Sequence, residues 1–282
     1  MTKAAELINW ASDYLKENKI EEHLQNSEWL LCHQLNKPHL HFRAYPETNI
    51  SSRDKKKFIA LVKLKANGMP LSYITEKHNF MGVEFKVNKN VLIPRPETED
   101  LVSIVLKHLD SKKNLKVLEL CTGSGVISCI LALKIKNATI TATDISKKAL
   151  KVTKLNAEYT KTFKNIKFLH SDLFKKVTGK FDVIISNPPY CSSKEMEEIK
   201  KEITFEPKIA LHAGEDGLDI IRKIISLAPL YLKKNGYLFM EIGIYHRKMI
   251  MSLASSKIWQ NVKILKDFNG LDRYLVCKLK NG

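Results

Sequence analysis

Lys116-Val117-Leu118-Glu119-Leu120-Cys121-Thr122-Gly123-Ser124-Gly125-Val126 is the stretch on which the reading of the fold rests. Five residues of strand character run into a glycine-rich turn, and a helix opens at Val126. Glycines in such a turn let the backbone bend sharply and approach a ligand that a Cβ would block. As a dinucleotide-binding fingerprint the stretch fails, because the third glycine expected after Gly123 and Gly125 is Ser128. Around it, strand and helix patterns alternate, which predicts a mostly parallel α/β sheet covered by helices. The predicted strands are Lys116 to Leu120, Thr139 to Thr143, Ile166 to Leu169, Asp182 to Ser186, Gly236 to Ile242, Val262 to Lys266 and Arg273 to Lys278. The link between the last two, Asp267 to Asp272, is too short for a parallel crossover, so they pair antiparallel.

Polar residues fall where these strands end, and ligands of open α/β sheets bind beyond the carboxyl ends of parallel strands. Asp144 closes the second strand, where a carboxylate can accept from both ribose hydroxyls of an adenosine-containing ligand; an N-cap for the helix that follows is an equal reading. After the third strand, Asp172 can accept from an adenine amino group and Leu173 can pack on the ring, although an ordinary loop aspartate fits that position too.

The fourth strand runs into Asn187-Pro188-Pro189-Tyr190. A strand terminator explains the prolines, which cannot donate to a ladder, but not the Asn before them or the aromatic after them. Methyl transfer to a planar nitrogen explains all four. An amide lone pair is delocalised, so the nitrogen needs acceptors that hold its two N–H groups and leave the lone pair aimed at an electrophilic methyl. The Asn187 side-chain oxygen and the Pro188 carbonyl are such acceptors, and orientation then supplies much of the rate. Tyr190 offers a flat face for stacking. A sulfonium donor carries its own activation, so S-adenosyl-L-methionine, leaving as S-adenosyl-L-homocysteine, is the expected cofactor and no metal is expected. With the terminal antiparallel hairpin, this predicts a Rossmann-like seven-stranded sheet of the class I S-adenosylmethionine-dependent methyltransferases.

Ahead of that sheet, residues 4–66 carry apolar positions at helical spacing, with Ser51 and Ser52 as N-cap candidates and Asn67-Gly68 as a stop. Residues 1–70 are therefore expected to form a small all-helical domain, 71–91 a linker hairpin with strands at Leu71 to Thr75 and Val83 to Val87, and 92–282 the methyltransferase domain. The net charge is +17, but only six of the 47 basic residues are arginine and the lysines are scattered. Diffuse lysine fits a solvated surface, with nucleic acid not required and at most weakly attracted. The five cysteines show no metal-ligand spacing, and their odd number suits reduced thiols. With no apolar leader in the first residues and no run able to span a bilayer, a soluble cytoplasmic protein and no membrane partner are expected.

Further motifs support a resemblance over essentially the full length. Leu92-Ile93-Pro94-Arg95-Pro96-Glu97-Thr98-Glu99 precedes the sheet, Phe205-Glu206-Pro207 follows the diproline motif, and Glu241-Ile242-Gly243 and Asp272-Arg273 come near the end. With these the chain resembles the release-factor glutamine methyltransferases of the HemK/PrmC type. The resemblance implies that the substrate is the Gly-Gly-Gln glutamine of peptide chain release factors, methylated at N5, with the N-terminal helices gripping the factor. It places cofactor contacts on Cys121, Thr122, Gly123, Ser124, Gly125, Asp144, Asp172, Leu173 and Asn187. Asn187 to Tyr190 would hold the glutamine, with Arg95 and Glu97 on the substrate side. Read alone, Glu97 and Glu99 merely favour a helix N-terminus and Arg95 is a surface ion pair. The family commonly has Asp and Gly where this chain has Glu119 and Cys121. An exocyclic amine of DNA or RNA is the alternative acceptor, and a non-catalytic binding module is the third reading.

Overall fold

The computed structural model describes residues 2–109, 114–199, 201–254 and 257–280. Two compact units emerge: residues 2–77 together with 201–205, and residues 78–199 together with those from 206 onward.

The first unit contains β1 (Thr2–Lys3), α1 (Ala4–Glu17), α2 (His23–Gln34), α3 (His41–Ala44), β2 (Asn49–Ile50), α4 (Ser52–Ala66) and α5 (Leu71–Thr75). Leu7, Ala11 and Leu15 of α1, Leu30 and Leu31 of α2, and Phe58 and Val62 of α4 share one core, as their helical spacing requires. Ser51 caps α4 by accepting from Asp54 N at 3.0 Å, and Asn67 ends it. A two-residue antiparallel pairing of β1 with β2 is the unit's departure from all-helical structure.

Leu71 to Thr75 corrects a sequence expectation: it is a helix, not a strand. Pro70 has no N–H to give to a ladder, while its carbonyl accepts from Tyr73 N and Ile74 N. The Thr75 hydroxyl bonds back to Leu71 O at 3.0 Å. That turn buries Ile74 in the helical core, and tertiary burial overrides the β-branched composition. The hairpin begins later, as β3 (Lys77–Phe80) and β4 (Val83–Lys86), joined by Met81 and Gly82, both left-handed.

In the second unit, α6 (Pro96–His108) leads into β5 (Lys116–Leu120), α7 (Val126–Lys134), β6 (Thr139–Asp144), α8 (Lys147–Tyr159), β7 (Ile166–His170) and β8 (Phe181–Ser186). After the short α9 (Ser193–Glu197) come α10 (Asp219–Tyr231), β9 (Leu232–Glu241), α11 (Arg247–Leu253), β10 (Trp259–Lys266) and β11 (Asp272–Leu279). The seven strands lie in the order β10-β11-β9-β8-β5-β6-β7. Strands β5 to β9 pair parallel, and β11 runs antiparallel between β9 and β10. The predicted terminal hairpin is thus present, and the seven predicted strands all occur.

Side chains alternate faces along each strand. Val117, Val183, Ile185 and Phe239 meet α6 and α7 on one side, whereas Leu118, Leu120, Ile184, Leu238 and Met240 meet α10 and α11 on the other. The strand order reverses beside β5, with β6 on one side and β8 on the other, so a crevice opens beyond their carboxyl ends.

Candidate active site

The crevice is a pocket lined by Cys121 to Ser124 after β5, Asp144 after β6, Asp172 and Leu173 after β7, and Asn187 and Pro189 after β8. Asn90 to Leu92 and Pro94 approach from one side, and Pro207, Ile209, Ala210 and His212 from another. The carboxyl ends of four parallel strands, β5 to β8, thus deliver the residues expected there.

The glycine turn is propped from behind by α8. Thr153 donates its hydroxyl to Gly123 O at 2.9 Å, and buried Asn156 donates to Ser124 O at 2.8 Å. Asn156 also pairs with both backbone groups of Lys86, which joins the β3–β4 hairpin to the pocket wall. Gly125 does not line the pocket; it starts α7 at φ 82, and a Cβ there would lie 2.4 Å from the Thr153 methyl. Its role is close packing of turn against helix. Cys121 and Leu173 adopt positive φ, 59 and 44, so the pocket wall holds left-handed backbone at two non-glycine positions. Cys121 lies where glycine is common in the resembling family, and its left-handed backbone explains that preference. Burial pushes the Cys121 thiol upward, so it stays protonated.

Asp144 accepts from Gly123 N at 2.9 Å through one oxygen and from Ser146 N at 2.8 Å through the other. A carboxylate has about four acceptor positions, so one on each oxygen remains for a vicinal diol. The helix N-cap role expected as an alternative goes instead to Ser146, which accepts from Ala149 N. Burial raises the Asp144 pKa, against the backbone donors that lower it. Asp172 is half-exposed and bridged to Lys175 at 2.7 Å, a contact of little strength that a ligand can displace. Below the turn, Glu119 is fully buried and accepts from the Thr122 hydroxyl and from Ser128 N and its hydroxyl. Desolvation nonetheless pushes its carboxyl up to about 7.

Behind Asn187 lies a hydrogen-bonded chain. Asn187 Nδ2 donates to Thr98 Oγ1 at 2.9 Å, Thr98 donates to Glu241 Oε2 at 2.8 Å, and the Tyr190 hydroxyl donates to Glu241 Oε1 at 3.1 Å. With its nitrogen so engaged, the Asn187 amide has its oxygen left to accept, on a residue that lines the pocket. Pro188 is buried and Tyr190 packs beside the α10 core; neither lines the pocket.

Arg95 and Glu97 also lie off the pocket lining. Arg95 Nη2 bonds Glu206 Oε1 at 2.5 Å, while Glu206 Oε2 accepts from Ile93 N at 3.2 Å. The Glu206 carboxylate is nearly inaccessible, so the pair is a partly buried tie between the 93–95 segment and the 206–212 segment rather than a surface ion pair. Glu97 contributes its carbonyl, which accepts from the Tyr274 hydroxyl at 2.9 Å. Sequence reading passed over Thr98, Glu206 and Glu241 as site residues. Glu241 carried the same signal as Asp144, an acid near the end of an apolar parallel strand, whereas Thr98 and Glu206 stood only inside the Leu92 to Glu99 and Phe205 to Pro207 motifs, with no residue chemistry that marked them out.

This strand order, with a glycine turn after β5 and acids after β6 and β7, defines an S-adenosylmethionine-dependent methyltransferase. The Methyltransferase small domain model matches residues 98–214, and the PrmC N-terminal domain model matches residues 6–75. The release factor glutamine methyltransferase of Bacillus subtilis is 37% identical over 283 residues, covering 97% of this chain and 96% of that one. Its counterpart in Clostridium acetobutylicum is 34% identical over 271 residues, 95% of each chain. The chain belongs to the release factor glutamine methyltransferase family. Among solved structures, a methyltransferase from Pyrococcus furiosus shares the fold with TM-score 0.52 at 19% identity, covering 72% of this chain and 91% of that one. The T. thermophilus 16S rRNA N2 G1207 methyltransferase, in complex with AdoMet and guanosine, gives TM-score 0.52 at 17% identity, covering 73% of this chain and 50% of that one.

Proposed function

We propose that this protein methylates the side-chain amide nitrogen, N5, of the Gly-Gly-Gln glutamine in peptide chain release factors. The observation that carries the reading is the hydrogen bond of Asn187: its nitrogen is held by Thr98, which leaves its oxygen as an acceptor on a pocket-lining residue. An amide nitrogen is a weak nucleophile with two N–H groups. Asn187 Oδ1 is assigned one and the carbonyl of Pro188, a buried residue between the pocket-lining Asn187 and Pro189, the other, which fixes the nitrogen plane and leaves the lone pair free. Orientation and acceptors placed for developing positive charge then replace a general base. Tyr190, expected from the sequence to stack on the acceptor, instead buttresses the motif from behind through its hydrogen bond to Glu241.

The cofactor residues fit S-adenosylmethionine. Asp144 keeps an acceptor position on each oxygen for the ribose hydroxyls, Leu173 and Asp172 suit the adenine ring and its amino group, and Cys121 to Ser124 line the inner end. Bound there, the cofactor supplies a methyl group already activated on sulfonium. Residues 1–70 are assigned to gripping the release factor, 71–91 to linking, and 92–282 to catalysis, in the cytoplasm where release factors act. Arg95 and Glu97 are assigned to shaping the substrate side rather than to direct contact.

Purified protein with labelled S-adenosylmethionine should label a release factor and leave unlabelled the same factor carrying alanine for the Gly-Gly-Gln glutamine. Equal labelling of both refutes the assignment, and label in DNA or RNA that Asn187→Ala abolishes replaces it with the nucleic-acid reading. Asn187→Ala is expected to cost roughly 10²-fold in kcat on the release factor, by loss of a placed polar group.

A further inference from the structure

The polar groups behind the diproline motif form a chain with a direction. Glu241, at the end of β9, is 1% exposed, and each of its oxygens takes a different hydroxyl, Thr98 on Oε2 and Tyr190 on Oε1. A hydroxyl has one proton and two lone pairs. Once Thr98 has given its proton to Glu241, only its lone pairs face Asn187, and they accept from Nδ2 at 2.9 Å. The amide cannot then turn over without facing its oxygen against the Thr98 lone pairs.

Resting on the reaction proposed above, we infer that Glu241 is a positioning residue: through Thr98 its carboxylate sets which end of the Asn187 amide meets the substrate. Protonation of Glu241 reverses the chain. With the proton on Oε2, the acid O–H donates to Thr98 Oγ1 while Tyr190 still donates to Oε1, the Thr98 hydroxyl turns its own proton to Asn187, and the amide settles with its oxygen inward and its NH2 toward the pocket. The glutamine NH2 then meets a donor where it needs an acceptor, and its nitrogen is no longer held for attack.

The surroundings of Glu241 place this reversal in a usable range. Arg273 of β11 favours the carboxylate, while Glu97 of α6 opposes it; Tyr274, paired across β9 and β11, gives its hydroxyl to Glu97 O and to Asp100. Burial outweighs the Thr98 and Tyr190 hydrogen bonds and pushes the Glu241 carboxyl up to about 7. The glutamine amide has no titration near neutral pH, so an acidic limb in turnover must come from the protein.

The test measures kcat and KM for a release factor from pH 5.5 to 8.5, on wild type, Glu241→Gln, Thr98→Val and Thr98→Ser, with the Asn187 side-chain NH2 resonances followed over the same range. Wild-type kcat should fall about tenfold per pH unit below a midpoint near 7, with KM nearly constant. Glu241→Gln should lose that limb and run roughly 10²-fold slower at pH 8, the cost of a misplaced reacting group. Thr98→Val should lose rate and limb together, and Thr98→Ser, which restores the hydroxyl, should recover the limb that Thr98→Val loses. The Asn187 resonances should titrate near pH 7 in wild type and not in Glu241→Gln. A Glu241→Gln enzyme with wild-type kcat and pH profile, or Asn187 resonances indifferent to pH, overturns the relay. Wild type that methylates no release factor overturns the proposed reaction instead, while the Asn187 titration still reads the relay by itself.

Discussion

Gly217 tests whether the loop ahead of α10 holds the catalytic motif in place. It has φ 73, and a Cβ on it would lie 2.3 Å from Tyr190 O and 3.0 Å from Ser192 N. Both are backbone atoms, and ordinary contact begins at 3.4 Å, so alanine there demands a displacement of about 1 Å. The motif cannot swing away freely, since Cys191 N donates to Leu211 O at 2.8 Å and Ala213 N to Cys191 O at 2.9 Å. Strain therefore passes back along the chain to Tyr190 and Pro189. A left-handed alanine costs about 1–2 kcal/mol in stability. At about 2–4 °C per kcal/mol, Gly217→Ala should lower Tm by roughly 2–8 °C. A shift of that size in a residue holding the substrate costs roughly 10²-fold in kcat. Gly217 does not line the pocket, so cofactor affinity should change little. The assay combines thermal unfolding, calorimetric titration with S-adenosylmethionine, and single-turnover methyl transfer to a release factor. Wild-type kcat in a folded Gly217→Ala protein would refute the reasoning, because the loop would then have yielded instead of the motif.

Three other outcomes are expected. Gly125→Ala drives a Cβ against Thr153, separates α8 from the glycine turn and should weaken S-adenosylmethionine binding more than it slows the bound enzyme; calorimetry showing an unchanged Kd would count against this. Arg95→Ala strands the buried Glu206 carboxylate and should cost about 2–3 kcal/mol in urea unfolding, below the full value for a buried pair because Arg95 is 31% exposed; an unchanged midpoint with a raised release-factor KM would restore Arg95 to substrate contact. Glu119 has a folded pKa of about 7, above its ordinary 4.5, so the folded state holds the extra proton between those values. Stability from this group is therefore highest below pH 4.5 and falls as pH rises to 7, by about 3 kcal/mol; Glu241 adds a like slope, so unfolding midpoints of ligand-free Glu119→Gln taken from pH 5 to 8 should keep only about half of the wild-type dependence from these two groups.

The strands and the pocket floor were legible because their causes are local. Apolar runs such as Val183 to Ile185 are buried on both faces, and the turn at Gly123 and the stop at Pro188 need particular residue types at particular places. Asp144 was legible as a strand-end acid, though not its division of labour with Ser146. Leu71 to Thr75 misled because five residues carry too little periodicity to separate a turn of helix from a strand; the core around Ile74 settled it. Arg95 was singled out, but its partner lies 111 residues away, and the tie exists only because the strand order brings the segment after α9 back across the 93–95 segment. The same holds for the relay. Asn187 and Thr98 are 89 residues apart, Thr98 and Glu241 143, and their meeting depends on β8 and β9 lying side by side with α6 packed over them. Local residue chemistry named the planar nitrogen and its acceptor, while the direction in which that acceptor points is a property of the packed sheet, since a hydrogen bond takes its direction from what lies behind it in space.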